Sequence, residues 1–146
     1  MNRVLFRSSS QGLTGQPRVS LEDSRANLRA MARIAREHAI VPVFLTAPSS
    51  HERGDEPSYV TRRWLWDPQQ LVPLHAAYVE AVREVAAEEG ALLVDLYAEF
   101  AALEQAELRR CFQEDGVHPS EEGARRLARR LYRELDRARL IEDLLE

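Results

Sequence analysis

Apolar positions along the 146-residue chain follow two alternating rhythms. After a short run, Val4-Leu5-Phe6, residues 7–18 hold three serines, two glycines and a proline with no apolar period, and read as loop. Leu28, Met31, Ala32 and Ala35 then recur at helical spacing. Ser20 stands where a cap belongs, with Asp23 three positions on in a capping-box arrangement that satisfies free backbone N–H groups. The polar side of this helix carries Arg25, Arg29, Arg33 and Arg36. Residues 41–46 are short, β-branched and apolar on both faces, as a strand covered by helices on both sides should be, with Pro42 near the start where a missing ladder donor costs least.

Residues 47–68 are mixed in composition: Pro48, Ser49, Ser50, His51, Glu52, Arg53 and Gly54 read as a long loop and residues 59–66 as a short helix. Such loops in compact domains are usually functional or mobile. A second strong helix is predicted over 71–89, with Leu71, Leu74, Tyr78, Val82, Val85 and Ala86 on one face and Gly90 placed to end it. A buried strand at 91–96 and short helices at 97–103 and 106–112 follow. The last helix starts after Ser120, has Glu121 and Glu122 in its first turn, and should bury Ala124, Leu127, Ala128, Leu131, Tyr132 and Leu135. The order β-α-β-α-β-α predicts a single α/β domain over residues 1–146, with right-handed crossovers and a parallel sheet in three layers.

A composition of 45% hydrophobic and 30% charged residues suits one globular domain and argues against disorder or a fibrous repeat. No apolar stretch approaches the roughly 20 residues that cross a bilayer, and the run at Val4 is too short for a secretory signal, so a cytoplasmic protein without a membrane partner is expected. The single cysteine, Cys111, has no disulfide partner within the chain and lacks the company of a zinc-thiolate site. All 20 basic residues are arginine, against 24 acids, for a net charge of −4. The cluster Arg125, Arg126, Arg129, Arg130 and Arg133 has the look of a nucleic-acid footprint, yet Glu121, Glu122 and Glu134 interleave it and the pI is about 5.6. A solvated helix face is the better reading, and no nucleic-acid partner is expected.

The chemistry concentrates in Gln113-Glu114-Asp115-Gly116-Val117-His118-Pro119-Ser120. An acid and an imidazole stand three residues apart on a turn that Gly116 allows to bend and Pro119 directs outward. Such a turn can aim the Asp115 carboxylate at Nδ1 of His118, hold one tautomer and leave Nε2 to take a proton from a serine hydroxyl. The same residues also make a helix-capping turn with an exposed histidine. His38, His51 and His75 with Asp95 match no zinc spacing and read as surface or capping groups, so neither metal nor cofactor is expected. His51, Arg53, Trp64 and Trp66 lie in the loop after the first long strand, where α/β sheets line their ligand crevice, although packing is the simpler role for the tryptophans.

Residues 19–135 resemble the C-terminal portion of an SGNH (GDSL-type) hydrolase. The helix from Ser20 leading to Val43-Phe44-Leu45-Thr46-Ala47-Pro48 resembles the family's helix and strand after its third motif block. The segment from Val85 through Gly90 to Leu96 resembles the next pair, and Asp115-Gly116-Val117-His118-Pro119 resembles the closing D-x-x-H-P block. The resemblance implies a flavodoxin-like sheet, with Asp115 and His118 as acid and base of a serine esterase acting on a small acyl ester, such as an acetyl or short acyl group on a carbohydrate or lipid-like alcohol. The family's opening G-D-S turn and its G-x-N-D block are not evident, so the domain is expected to lack N-terminal strands, with residues 1–19 a loop-rich lead-in. Ser10, in Val4-Leu5-Phe6-Arg7-Ser8-Ser9-Ser10, stands at the serine position, but Ser8 and Ser9 replace Gly and Asp, and a polar loop explains them as well. A non-catalytic remnant or subunit of the same fold is the alternative. A sheet edge left open by missing strands would favour association, so a homo-oligomer is a further expectation.

Overall fold

The structure, a computed structural model, describes residues 18–52, 54, 56–57, 65 and 67–141. The strand expected at Val4, the candidate nucleophile Ser10, the short helix expected at 59–66, and Arg53, Trp64 and Trp66 lie outside the described residues. In chain order the elements are α1 (Leu21–Glu37), β1 (Val43–Leu45), a 3-10 turn (Pro68–Gln70), α2 (Leu71–Glu88), β2 (Leu92–Val94), α3 (Leu96–Ala101), α4 (Gln105–Arg110) and α5 (Glu121–Arg137). The fold class is α/β, with β1 and β2 parallel and in register Val43–Leu92, Phe44–Leu93 and Leu45–Val94.

Side chains alternate across a strand, and this assigns the layers. Phe44 and Leu93 share one face, where they meet Leu28 and Ala32 of α1 and Val82, Val85 and Ala86 of α2. Val94, fully buried, faces the other way, toward the side on which α5 packs against β2. A second apolar cluster, Phe100, Leu108, Cys111 and Phe112 with Leu103 and Leu127, joins α3, α4 and α5. The rings of Phe100 and Phe112 meet edge to face at 5.5 Å.

Ser20 caps α1 by accepting from the Asp23 amide at 3.0 Å, while its hydroxyl donates to the Asp23 carboxylate at 2.7 Å. α1 ends in a Schellman turn, Ala39 N–H to Arg36 O and Ile40 N–H to Ala35 O, which holds Ala39 at φ 57°. No glycine announces this left-handed stop, unlike Gly90 after α2.

Two expectations about burial are corrected. Among the described residues β1 is not covered on both faces: Leu45 is 43% exposed and Val41 54% exposed, because α5 lies over β2. On α5, Leu127, Leu131 and Leu135 are half-buried, but Ala124, Ala128 and Tyr132 face solvent, and the buried positions are Gly123 and Glu134. The stripe that contacts the body runs along one side of the expected apolar face, and Glu134 joins it because Arg130 and Arg137 pair with its carboxylate at 3.1 and 3.2 Å.

The arginine row of α1 is not simply solvated. Arg25 reaches Glu84 at 2.6 Å, Arg29 reaches Glu88 at 2.7 Å, and Arg33 and Arg36 reach Glu89 at 3.0 and 3.2 Å, a ladder between α1 and the end of α2. Exposed pairs contribute only about 0.2–1 kcal/mol each. The double substitution Glu84→Gln with Glu88→Gln should therefore cost roughly 1 kcal/mol in urea unfolding at low salt, and the loss should shrink in molar salt, where screening acts within about 3 Å. A salt-independent loss would mean that packing, not charge, joins the helices. No helix among the described residues is long and apolar enough to cross a membrane.

Candidate functional site

The C-terminal ends of the two strands and the turn before α5 form the site. Thr46, fully buried, continues the ladder by donating its amide to Val94 O at 3.2 Å. Its hydroxyl donates to Asp95 Oδ1 at 2.8 Å and accepts from the Tyr97 amide at 2.9 Å. Asp95 caps α3 through the Ala98 amide at 3.1 Å and takes a forked contact from Arg83 of α2 at 2.9 and 3.1 Å. Burial alone would push the Asp95 carboxyl up, but the Ala98 amide, the Thr46 hydroxyl and the Arg83 guanidinium together hold it below its ordinary value. This network ties both strand ends to α2, and sequence reading missed it. The available signal was a polar residue at the end of each apolar strand, Thr46 and Asp95.

Arg83 also lies over the ring of Tyr97, 5.7 Å from its centroid, and His75 meets that ring edge-on at 5.6 Å. Burial lowers the His75 pKa, against the raising effect of the Ala47 backbone, and its Nδ1 sits 3.4 Å from Ser49 Oγ. Asp95 is thus engaged with Arg83 and Thr46, and the described residues contain no group of three His, Cys, Asp or Glu side chains arranged for a metal ion.

The turn carrying Asp115 and His118 closes on itself. Phe112 and Pro119 form an antiparallel bridge, the Gln113 amide donates to His118 O at 2.8 Å, and the Gly116 amide donates to Gln113 O at 2.9 Å. Inside it, Asp115 Oδ1 accepts from the amides of Val117 and His118, both at 2.9 Å, and Oδ2 stands 2.5 Å from His118 Nδ1. The structure therefore brings these two sequence-predicted residues together. A carboxylate only accepts, so Nδ1 carries the proton and Nε2 of the neutral ring keeps its lone pair. The imidazole is open to solvent, with 71% of its side chain exposed against 36% for Asp115.

The amides of Val117 and His118, then the His118 ring, bring the Asp115 carboxyl from 3.8 down to about 2. A carboxyl whose folded pKa is depressed adds stability above its unfolded value and loses it as pH falls through its folded value. The contribution of Asp115 should thus be constant above about pH 5 and fade from pH 3.8 toward about 2. Urea unfolding of wild type and Asp115→Asn at pH 7 and pH 3 checks this. The gap between the two proteins should narrow at the lower pH, and a gap that widens there would contradict the assignment.

Two elements frame the turn. The loop after β1 touches it through Ser50, whose amide donates to Gly116 O at 3.0 Å, and through His51, whose Nε2 lies 2.8 Å from Asp115 O. Beside this contact is a cavity of about 230 Å³ lined by Ser50, His51, Arg109, Gln113, Glu114 and Asp115 among others. A larger concavity, about 750 Å³, lies along α5 between Glu99, Tyr132 and Arg125, Arg126, Arg129 and Arg133. It holds no imidazole, thiol or serine, and three of its arginines are paired with Glu121, Glu107 and Glu99. Asp115 lines the smaller cavity, whereas His118 is not among its described lining residues.

Residues 14–126 match the family described as GDSL-like lipase/acylhydrolase. Among solved structures, the chain is similar to a lipase/acylhydrolase from Enterococcus faecalis, with 22% identity and a TM-score of 0.61 over 80% of this chain and 51% of that one. A GDSL-like lipase from Bacteroides thetaiotaomicron shows 20% identity and a TM-score of 0.61 over 82% and 54% of the two chains. An acetylxylan esterase from Geobacillus stearothermophilus shows 22% identity and a TM-score of 0.56 over 79% and 47%. The chain thus spans about half the length of these structures. A comparison with curated protein sequences gives no match.

Proposed function

The chain belongs to the GDSL-like lipase/acylhydrolase family, and from that premise we propose that it supplies the acid and base, Asp115 and His118, of a serine hydrolase acting on a small acyl ester. The observation that carries this reading is the 2.5 Å contact of Asp115 Oδ2 with His118 Nδ1, made by a carboxylate already held by two amides. In the proposed reaction, His118 Nε2 takes the proton of a serine hydroxyl as that oxygen bonds to the acyl carbon. Asp115 steadies the imidazolium that results. The same proton passes to the leaving alkoxide as the ester C–O bond breaks; water, deprotonated in turn by His118, then bonds to the acyl carbon, and that proton returns to the serine oxygen as its bond to the acyl carbon breaks and the carboxylic acid leaves.

A short acyl group on a hydroxylated alcohol is the proposed substrate. What supports it is that one structural neighbour is an acetylxylan esterase. Ser10 is the proposed serine if the nucleophile lies within this chain. The second reading is a non-catalytic remnant or subunit with this fold and no reaction of its own.

The test is turnover of a short-chain activated ester by wild type, Ser10→Ala and His118→Ala, alone and with the nucleophile-bearing half of a family member supplied as a second polypeptide. Activity abolished by His118→Ala, in either format, supports the acid–base role. Turnover indifferent to His118→Ala, or none in any format, favours the second reading.

A further inference from the structure

His118 is exposed and Asp115 half-buried, so burial alone does not hold the dyad, and the hydrogen bonds inside the turn fix its parts only relative to one another. Something must fix the turn to the sheet. The loop after β1 does so with two consecutive residues: Ser50 N–H donates to Gly116 O at 3.0 Å and His51 Nε2 stands 2.8 Å from Asp115 O, across 64 positions of sequence in the second case. A carbonyl only accepts, so His51 donates from Nε2. The fit is steric as well. Gly116 has φ +70°, and a Cβ there would lie 2.7 Å from both Cδ2 and Nε2 of His51 and 2.9 Å from Ser50 Oγ, so the imidazole edge occupies the space that a glycine leaves open.

We infer that His51 is a positioning residue, which orients the Asp115–Gly116 peptide and through it aims the Asp115 carboxylate at His118. The inference rests on the acid–base reading of that pair. His51 passes no proton in the reaction and acts only through the backbone of the acid. A misplacement of a reacting group by about 1 Å is enough to lower a rate on the order of 10²-fold.

The test uses the full chain and reads geometry apart from activity. Proton NMR follows the His118 Nδ1–H resonance and the Val117 and His118 amides in wild type, His51→Leu and His51→Gln. His51→Leu should broaden or shift all three signals. His51→Gln, whose amide can donate from a similar reach, should restore them. In the active hydrolase, kcat should fall roughly 10- to 100-fold in His51→Leu with KM little changed, and recover in His51→Gln. If His51→Leu fails to fold, His51→Ala replaces it, read against the restoring His51→Gln in the same way. Unchanged signals in His51→Leu, or a disturbance that His51→Gln does not restore, would overturn the role of His51. A loss of turnover with unchanged signals would also overturn it, since His51 would then be touching substrate. Shifted signals in a protein with no turnover in any format would leave the positioning contact standing and remove only the reaction it serves.

Discussion

His118→Ala should abolish the esterase turnover of the complemented hydrolase, by a factor on the order of 10⁶, and Asp115→Asn should lower it by a factor on the order of 10⁴. On the proposed reading, removing the base leaves the serine hydroxyl with water as its proton acceptor, and an amide in place of the acid favours the wrong imidazole tautomer. The geometry gives Asp115→Asn a further consequence. Oδ1 holds two amides and Oδ2 holds Nδ1, so the asparagine can keep the amide contacts only by turning an NH₂ toward Nδ1. That group repels Nδ1–H and selects the tautomer whose Nε2 carries the proton and cannot act as base. The 146-residue chain by itself should show negligible turnover, since each missing oxyanion donor costs about 10²–10³ in rate and the sequence shows no block that provides them. Robust turnover by the chain alone, lost in both Ser10→Ala and His118→Ala, would place the nucleophile at Ser10. Robust turnover that survives His118→Ala would end the proposal.

How far the sequence foretold this arrangement follows from the range of each interaction. α1 and α5 were readable to within a residue at their starts because their caps are local: Ser20 with Asp23, and Ser120 with the Gly123 amide at 3.2 Å. Asp115 and His118 were readable for the same reason, being three positions apart on one turn. The contacts that seat the turn were not. Nothing in the spacing of Ser50 and His51 announces that they meet Gly116 and Asp115, because that meeting depends on the path of the loop after β1. Exposure failed for a related reason. A stripe of Ala128 and Tyr132 at helical spacing shows that a face is apolar, not that a partner covers it, and Tyr132 is 58% exposed. Ala39 marks another limit, since a left-handed helix stop is written in sequence only when glycine fills it.

Gly123→Ala should be the most destabilising single-methyl change in the chain's described part, although Gly123 sits inside a helix, where alanine is ordinarily better by about 1 kcal/mol. Its added Cβ would overlap the carbonyl oxygen of Cys111 and lie 2.9 Å from the carbonyl carbon. The obstacle is backbone, which cannot swing aside as a flexible side chain would. That carbonyl also accepts from the Ser120 amide at 2.9 Å, while Ser120 Oγ donates to Arg110 O at 2.6 Å and caps α5. Relief of the overlap must move α5 away from Cys111 and weaken these bonds, each worth about 1 kcal/mol, on top of the 1–3 kcal/mol typical of overpacking. The unfavourable terms outweigh the propensity gain, leaving a net loss of roughly 2–3 kcal/mol, or a melting temperature lower by about 5–10 °C for a domain of this size. Because the Asp115–His118 turn lies between Cys111 and Ser120, the same displacement should reach the dyad, and the His118 Nδ1–H resonance should shift in the variant while it remains folded. Thermal unfolding and that resonance together decide the matter: a Gly123→Ala protein as stable as wild type would show that α5 does not rest on the Cys111 carbonyl.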